Sequence, residues 1–470
     1  MDGAQQLPQP PAETRPSPPV RRGLIFGTVA LALLMMSVDS TIVATVLHTL
    51  GADLGARVNW TGWTLTAYSF GFVLMLPLSG KLATRYGRRR VFIGSVLVFT
   101  VASLLCGLAD NIFVLIALRA VQAAGGAGFT PAATGIIVDH FGDARDRAVG
   151  LFGAIFPVGA MIGPILGGLF VTHLSWRDAF LVNGPIGLAV ILLALRCIPR
   201  DPPRAAAAAD MDVAGMALLG GGLLAGMMGV TGLGDAGASL GPLASAALLV
   251  VAALCTVAFF RHIGRRREPF VAPAFIGGPG FGPVNLVNMI YTGVPIGAAA
   301  LIPLYAANRY GIGAFEAGML LVGQGLATVL FSGAAVALLR RIGYRRPIYM
   351  GGASIVVGLV LLALEPLAGV PPYLWLAAAA VFIGAGSGTL NPVTRNAGLQ
   401  LAPAAAATLA ALRSLALQIG TILTISLTTA AVSAASAPGT AQAWAYAAAA
   451  LVLVLALPIV SRVPEHHGSW

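Results

Sequence analysis

Charge is what this chain has least of. Only 10% of its 470 residues are Asp, Glu, Lys or Arg, against about 25% in an ordinary soluble domain. No soluble domain of useful size fits between its apolar runs. Cysteine is scarce too: Cys106, Cys197 and Cys255 are its three, each inside an apolar run. No CxxC pair and no Cys/His cluster occurs, which argues against a disulfide framework and against a metal site. Among the histidines, His48 falls near a span end and His466 and His467 in the tail, too few for a metal. The chain lacks a Ser/His/Asp set and a phosphate-cradling glycine loop ahead of a helix start. Those absences weigh against an enzyme and against an ATP-driven pump. No soluble signalling domain is visible either, which disfavours a receptor. Lysine is almost missing, Lys81 being the single one among 28 basic residues. Finally, no clear cleavage site follows the first apolar run, which Arg21 and Arg22 precede. That run exceeds a leader's core in length, so it reads as a retained first span.

What is present is apolar sequence, 57% of the residues, with a mean hydropathy of +0.87. At about 20 residues per bilayer crossing, the pattern predicts an all-α polytopic protein with fourteen spans. They fall near 23–50, 60–80, 91–109, 112–138, 148–171, 179–198, 213–234, 241–261, 281–306, 315–338, 347–365, 372–393, 405–432 and 441–461. The net charge of +11 could suggest nucleic acid, but the arginines sit in short gaps between spans. One alternating set of gaps holds Arg21, Arg22, Lys81–Arg90, Arg145, Arg147, Arg196–Arg204, Arg261–Arg267, Arg340–Arg346 and Arg462; the other holds only Arg57, Arg177 and Arg309. That bias predicts both termini in the cytoplasm and an even number of spans.

The first six and last six spans read as comparable halves, each with an arginine-rich gap after its second span. The predicted organisation is a polar, Pro-rich and disordered cytoplasmic arm over 1–22, a six-helix bundle over 23–198 and a linking region over 199–270. The linking region carries two additional spans, 213–234 and 241–261. A second six-helix bundle follows over 271–462, then a cytoplasmic tail over 463–470. Two six-helix halves related by an axis along the membrane normal is the plan of one large transporter class.

Within the spans a few polar residues stand out. Asp39 is a mid-span carboxylate, which is costly to ionise unpaired and so usually faces a cavity and serves a function. Two uses are open: proton binding and release, or a structural acid bonded within the first helix. Arg119 is the other mid-membrane charge of the first half. It either orients Asp39 or bonds carbonyls of neighbouring helices, and Gln122, three residues on, shares its face. Arg413 in the thirteenth span either snorkels to the surface or makes a gating contact. Gln122, Asn285, Asn288, Tyr291, Gln324 and Asn391 are candidates for a substrate cavity or for interhelical glue. Asp139, Asp143, Arg145, Asp146 and Arg147 form either a solvated loop or a latch between helices. In the fifth span Gly159, Gly163 and Gly167 recur every fourth residue. On a helix they form one flat ridge against which another backbone comes close. Gly163-Pro164 and Gly167-Gly168 weaken the same helix from within.

Taken in order, these stretches resemble the major facilitator superfamily, and within it the fourteen-span drug:proton antiporters. Gly80-Lys81-Leu82-Ala83-Thr84-Arg85-Tyr86-Gly87-Arg88-Arg89-Arg90 is similar to the family's loop between spans two and three. Arg119-Ala120-Val121-Gln122 with Gly125 and Gly126 resembles its fourth-span motif, Ala123 replacing a usual glycine. Gly153–Gly168 resembles the fifth-span antiporter motif, and Asp39-Ser40-Thr41-Ile42-Val43 the first-span motif of the fourteen-span branch. Trp176–Asn183 with Pro185 and Gly187 is similar to that branch as well. Thr84 stands where the family loop usually has an acid, which puts that loop's charged latch in doubt.

The resemblance implies a bacterial inner-membrane exporter of hydrophobic or amphipathic compounds, driven by protons with no other cofactor and working as a monomer. Asp39, with Arg119, would carry the coupling. Gly80, Arg85, Gly87, Arg88, Arg89, Gly153, Gly159, Gly163, Pro164, Gly167, Gly168 and Arg413 would serve gating. The substrate would sit near the midplane, and with few acids in the spans it is neutral or anionic as readily as cationic. A dedicated exporter of one metabolite is the nearest alternative, and an uptake symporter the next.

Overall fold

The computed structural model describes residues 22–141, 145–201, 212–234, 241–266, 269, 271–401 and 406–465. Most of the expected N-terminal arm, loop acid Asp143 and the tail from residue 466 lie outside them, as do the side chains of Thr84, Asp139, Arg145, Asp146 and Arg147. The first half contains α1 (Arg22–Asp53), α2 (Val58–Tyr86), α3 (Arg88–Gly107), α4 (Ile112–Gly126), α5 (Phe129–Phe141), α6 (Arg145–His173), α7 (Asp178–Leu181) and α8 (Asn183–Cys197). Two helices follow, α9 (Val213–Gly234) and α10 (Pro242–Arg265). The second half opens with α11 (Pro273–Gly277), α12 (Phe281–Val287), a π-helical turn over Asn288–Gly293, α13 (Val294–Ala300) and α14 (Ile302–Tyr310). It continues with α15 (Ala314–Ile342), α16 (Arg345–Ala363), α17 (Pro372–Leu401), α18 (Ala406–Ala434), α19 (Pro438–Leu455) and α20 (Leu457–Val460). No strand occurs among the described residues.

Eleven segments of the described residues are long and apolar enough to cross a bilayer; taking Phe281–Ala300 and Ile302–Tyr310, bent by 43°, as one makes twelve. Helices α2 and α6, of 29 residues each, are outside that count. Three expected spans are not single helices. The 112–138 range breaks at Ala127-Gly128, after two further glycines, where a side chain at 128 would run into Ser95. The 179–198 range breaks at Val182. The 281–306 range bends at Leu301, ahead of Pro303, whose ring removes a backbone donor. The opposite holds in α6: despite Pro157 and Pro164 it runs unbroken through the expected weak point.

Helix neighbours repeat between the halves. In the first, α1 packs on α6, α2 on α4, α3 on α4 and α3 on α8; in the second, α13 packs on α18, α15 on α17, α16 on α17 and α16 on α19. Across the halves α6 meets α15 and α2 meets α18, the reciprocal pair. One apolar cluster draws on residues 25–198 alone, and another draws on 284–463 with Ala44. A further cluster joins Ile42–Leu50 of α1 to Leu301, Leu304 and Ile425. Helix α9 lies against α10, α18 and α2.

The arginine-rich gaps are built alike. Gly87 after α2 and Gly343 after α15 both hold positive φ, 96° and 71°, a conformation that favours glycine. Each turn is followed by a helix whose first amides take a carboxylate from the end of the same half. Asp201 accepts from Arg89 N at 3.2 Å and Arg90 N at 3.3 Å. Glu465 accepts from Tyr344 N and from Arg345 N at 3.3 Å. A carboxylate at a helix N-terminus satisfies orphan amides and offsets the helix dipole.

Candidate functional site

Five helices of the first half bring polar side chains to one buried point. Asp39 comes from the middle of α1, Arg119 and Gln122 from one face of α4, Asn183 from the first position of α8, Ser103 from α3, and Tyr68 and Thr64 from α2. Asp39 and Arg119 are each 1% exposed. Arg119 Nη1 donates to Asp39 Oδ2 at 2.7 Å. The other carboxylate oxygen, Oδ1, accepts from Gln122 Nε2 at 2.8 Å and from Asn183 Nδ2 at 2.9 Å. Gln122 Oε1 in turn accepts from Arg119 Nη1 at 2.6 Å. Asn183 Nδ2 also reaches Ser103 Oγ at 3.0 Å, and that hydroxyl donates to Phe180 O at 2.9 Å.

The guanidinium is held from the remaining sides. Its Nε approaches Thr64 O at 3.4 Å, and its carbon lies 4.3 Å from the Tyr68 ring centre and 5.5 Å from that of Phe180. Ring faces attract a cation most where water is excluded. The sequence left two roles open for Arg119, a partner of Asp39 or a cation bonded to carbonyls; the geometry gives it both contacts. For Asp39 the partners are side chains of other helices, not its own backbone. A buried pair of this kind persists only with its spare donors and acceptors met, and here the carboxylate has three donors. The Tyr68 hydroxyl, by contrast, is buried with no hydrogen-bond partner among the described residues. Burial without compensation is costly, so such a group is normally retained for a reason.

The glycine ridge faces α1. A side-chain carbon at Gly159 would collide with Ser37, at Gly163 with Thr41 and the Val38 carbonyl, and at Gly167 with Thr45. Ser37, Thr41 and Thr45 form the matching stripe on α1, and Ser37 Oγ donates across to Phe156 O at 2.7 Å. On the other flank of α6, Gly168 touches Phe315, and the Pro164 carbonyl lies against Gly318, both on α15. Gly153 lies in the same helix, but its neighbouring side chains lie outside the described residues.

The remaining sequence candidates divide. Arg88 Nη1 donates to Gly135 O at 2.5 Å and Arg89 Nη2 to Leu195 O at 2.7 Å, both within the first half. Arg85 stacks on Tyr86 at 5.3 Å, and Gly80 sits in the last turns of α2. Arg413 does not simply snorkel: its Nη2 donates to Asn391 Oδ1 at 2.6 Å, which joins α18 to α17. Two of the candidates left open between cavity and glue bond backbone carbonyls. Tyr291 is packed in the second-half core with its hydroxyl donated to Leu453 O at 2.6 Å. Asn285 closes the end of α11, donating to Phe275 O at 2.8 Å and Ile276 O at 3.1 Å. Asn288 bonds Val284 O of its own helix at 3.0 Å and keeps a buried, unpartnered Oδ1. Gln324 is half-buried on α15.

Sequence reasoning missed Asn183, Ser103 and Tyr68 as members of the central network. Asn183 gave a signal, a polar residue closing a Trp-Arg-Asp stretch, but Ser and Tyr are too common in spans to flag. It also missed a clamp at the arginine-poor end. There Arg177 Nη1 donates to Asp53 Oδ2 at 2.6 Å and Nη2 to Asp110 Oδ1 at 3.1 Å, while Trp176 Nε1 donates to Asp53 Oδ2 at 2.9 Å. The bond to Asp53 lifts the Arg177 guanidinium above even its usual range.

Residues 29–214 match the family model of the Major Facilitator Superfamily. The chain is 33% identical over 338 residues to the Multidrug resistance protein B homolog of Mycobacterium tuberculosis, covering 71% of this chain and 62% of that protein. It therefore spans less than two thirds of that relative's length. To the Methylenomycin A resistance protein of Streptomyces coelicolor it is 30% identical over 398 residues, covering 83% of this chain and 81% of that one. A crystal structure of a D-xylose-proton symporter superposes with a TM-score of 0.68 at 13% identity, over 94% of this chain and 98% of the other.

Proposed function

We propose that this chain, which belongs to the Major Facilitator Superfamily and is a multi-pass membrane transporter rather than an enzyme, exports hydrophobic or amphipathic compounds in exchange for protons. The observation that carries the reading is the Asp39–Arg119 pair, sealed from solvent and tied to four helices besides that of Asp39. Ionised, Asp39 holds Arg119, Gln122 and Asn183 together. A proton arriving on the carboxylate cancels the attraction to Arg119 and turns one acceptor oxygen into a donor, so the network must rearrange. Every member lies on the first half, so the rearrangement shifts α1 and α4 relative to α2 and α8. Proton and substrate then bias the same alternating-access equilibrium in opposite senses.

Several features support the finer assignment to the fourteen-span drug:proton antiporters. Adding α2 and α6 to the twelve spans gives fourteen, and 29 residues rise about 43 Å, enough to cross. The arginine bias favours both termini inside the bacterial cytoplasmic membrane. The substrate would bind between the halves near Gln324 and Asn391, the chain acting as a monomer with the proton as its only coupling partner. A dedicated exporter of one natural product is the second reading. It is favoured by a relative that shares 81% of its own length with this chain and is named for resistance to a single antibiotic.

The test compares wild type and Asp39→Asn in an efflux-deficient host and in everted vesicles energised by a proton gradient. Wild type should broaden resistance and accumulate lipophilic compounds in everted vesicles, and the variant should do neither. Full resistance and full proton-driven transport by Asp39→Asn would overturn the proton role. Accumulation only in right-side-out vesicles would sink export. Protection against one compound in a wide panel would select the dedicated exporter.

A further inference from the structure

Helix α10 packs along α9 and leaves most of its surface uncovered. One line of that surface is ordered from apolar to basic. Val250, Leu254, Val257, Arg261 and Arg265 follow at steps of four, three, four and four, which places them on one helical face. The three apolar residues are 58%, 63% and 49% exposed, and both arginines are exposed. A groove of ≈ 670 Å³ borders the part of this line from Leu254 onward, with Leu254, Val257 and Ala258 on its apolar part and Arg261, His262, Arg265 and Arg266 on its basic part.

The neighbouring acid does not cancel this charge. Asp212, buried at the start of α9, accepts from Gly215 N at 2.8 Å, contacts His262 Nε2 at 2.7 Å and pairs with Arg266 Nη1 at 3.7 Å. His262 and Arg266 border the same groove but turn to Asp212 and so clamp α10 to α9. Arg261 and Arg265, on the outward side, make no ion pair or hydrogen bond among the described residues. Two guanidiniums thus stand about 6 Å apart along the axis at the arginine-rich end, above an apolar wall. From Arg261 down to Val250 that wall is about 16 Å long, close to half of a bilayer's hydrocarbon thickness.

We propose that this face of α10 binds an anionic phospholipid, its phosphodiester held by Arg261 and Arg265 and an acyl chain lying along Val250, Leu254 and Val257. Charge complementarity selects the occupant. Guanidinium forks match phosphate oxygens, basic patches at a membrane surface attract anionic headgroups, and a zwitterionic lipid gains little there. The site is independent of the transport reading: it gives the α9–α10 pair, which sits outside the two six-helix sets, a lipid-facing role.

The experiment uses the purified full chain in detergent with equal amounts of phosphatidylglycerol and phosphatidylcholine of the same chains, read by native mass spectrometry. Wild type should retain phosphatidylglycerol in preference to phosphatidylcholine. Arg261→Gln with Arg265→Gln should lower that retention about twenty-five-fold, since each surface arginine contributes roughly a fivefold attraction. Arg196→Gln with Arg200→Gln, which removes the same charge elsewhere at that end, should leave it unchanged. Leu254→Asn keeps both arginines and should weaken retention through the apolar wall, which keeps the test decisive if the double variant fails to fold. Equal retention by the Arg261/Arg265 variant, or an equal loss in the Arg196/Arg200 control, would overturn the proposal. So would displacement of the lipid by millimolar inorganic phosphate, or occupation of the face by a second copy of the chain.

Discussion

Asp39 accepts three hydrogen bonds from three different residues, and each removal has a distinct expected cost. Asn183→Ala takes one donor from the carboxylate and one partner from Ser103. An unmet buried group costs about 1–3 kcal/mol, so thermal denaturation of the purified variant should show a loss of that order. Cys106→Ala is the contrast: its thiol lies 3.9 Å from Gln122 Oε1, a weak contact, and the change should cost only about 1 kcal/mol, for the lost packing of a buried sulfur. An Asn183→Ala variant as stable as wild type would show that the amide is dispensable. Asp39, Arg119 and Gln122 were legible from sequence because charge is rare inside spans and because i, i+3 residues share a helix face. Asn183, 144 positions from Asp39, was not legible as a partner, since only the packing of α8 on α1 brings the amide to the carboxylate.

Among the elements, α6 and α3 carry the clearest expectations. A methyl group at Gly167 would strike the Thr45 hydroxyl. Gly167→Ala should therefore reduce transport and thermal stability, by about 1–3 kcal/mol for an overpacked contact. Adding Thr45→Ala removes the colliding atom and should restore part of the loss, a coupling that a double-mutant cycle measures. Gly94→Ala on α3 meets nothing within 4 Å and should be neutral. Absence of any coupling between 167 and 45 would refute the ridge-and-stripe contact. The α3 N-terminus supplies a second expectation: Asp201→Ala should cost about 1 kcal/mol, as loss of a helix cap does, with Glu465→Ala giving a like effect on α16. The glycine spacing announced close approach in advance, but not the partner. Its helix-weakening pairs do not interrupt α6, which stays continuous where it packs against α1 and α15. Thr84, where the resemblance leads one to look for an acid, told nothing of Asp201, whose carboxylate reaches the α3 N-terminus from a position 117 residues further along.

For the molecule as a whole, several contacts between the two sets of helices lie at the arginine-poor end of the described residues. Gly62 lies against Thr429, Asn59 N donates to Ser433 Oγ at 3.0 Å, and Pro164 and Gly168 lie against Gly318 and Phe315. In an alternating-access cycle these contacts must part. Asn59→Cys with Ser433→Cys, in a chain freed of Cys106, Cys197 and Cys255, should form a disulfide on oxidation, stop transport, and recover with a reductant. Unimpaired transport by the cross-linked protein would mean that this end never opens. The repeat of neighbours, with α2 on α18 answering α15 on α6, was foreshadowed only by an arginine-rich gap in each half.

The sequence by itself determined what acts locally or through composition. It set the apolar runs that can cross a bilayer, the arginine-rich gaps, the rarity of mid-span charge and the glycine period on α6. Each depends on residues within a few turns of one another and on the solvent they require. The tertiary structure alone decided which donors surround Asp39, that α1 receives the glycine ridge, that Tyr291 is core, and that Asp201 and Glu465 cap the N-termini of α3 and α16. Those outcomes join residues far apart in the chain. They follow from which helices pack together, and the identity of a packing partner, unlike hydropathy, leaves no local trace in the order of the residues.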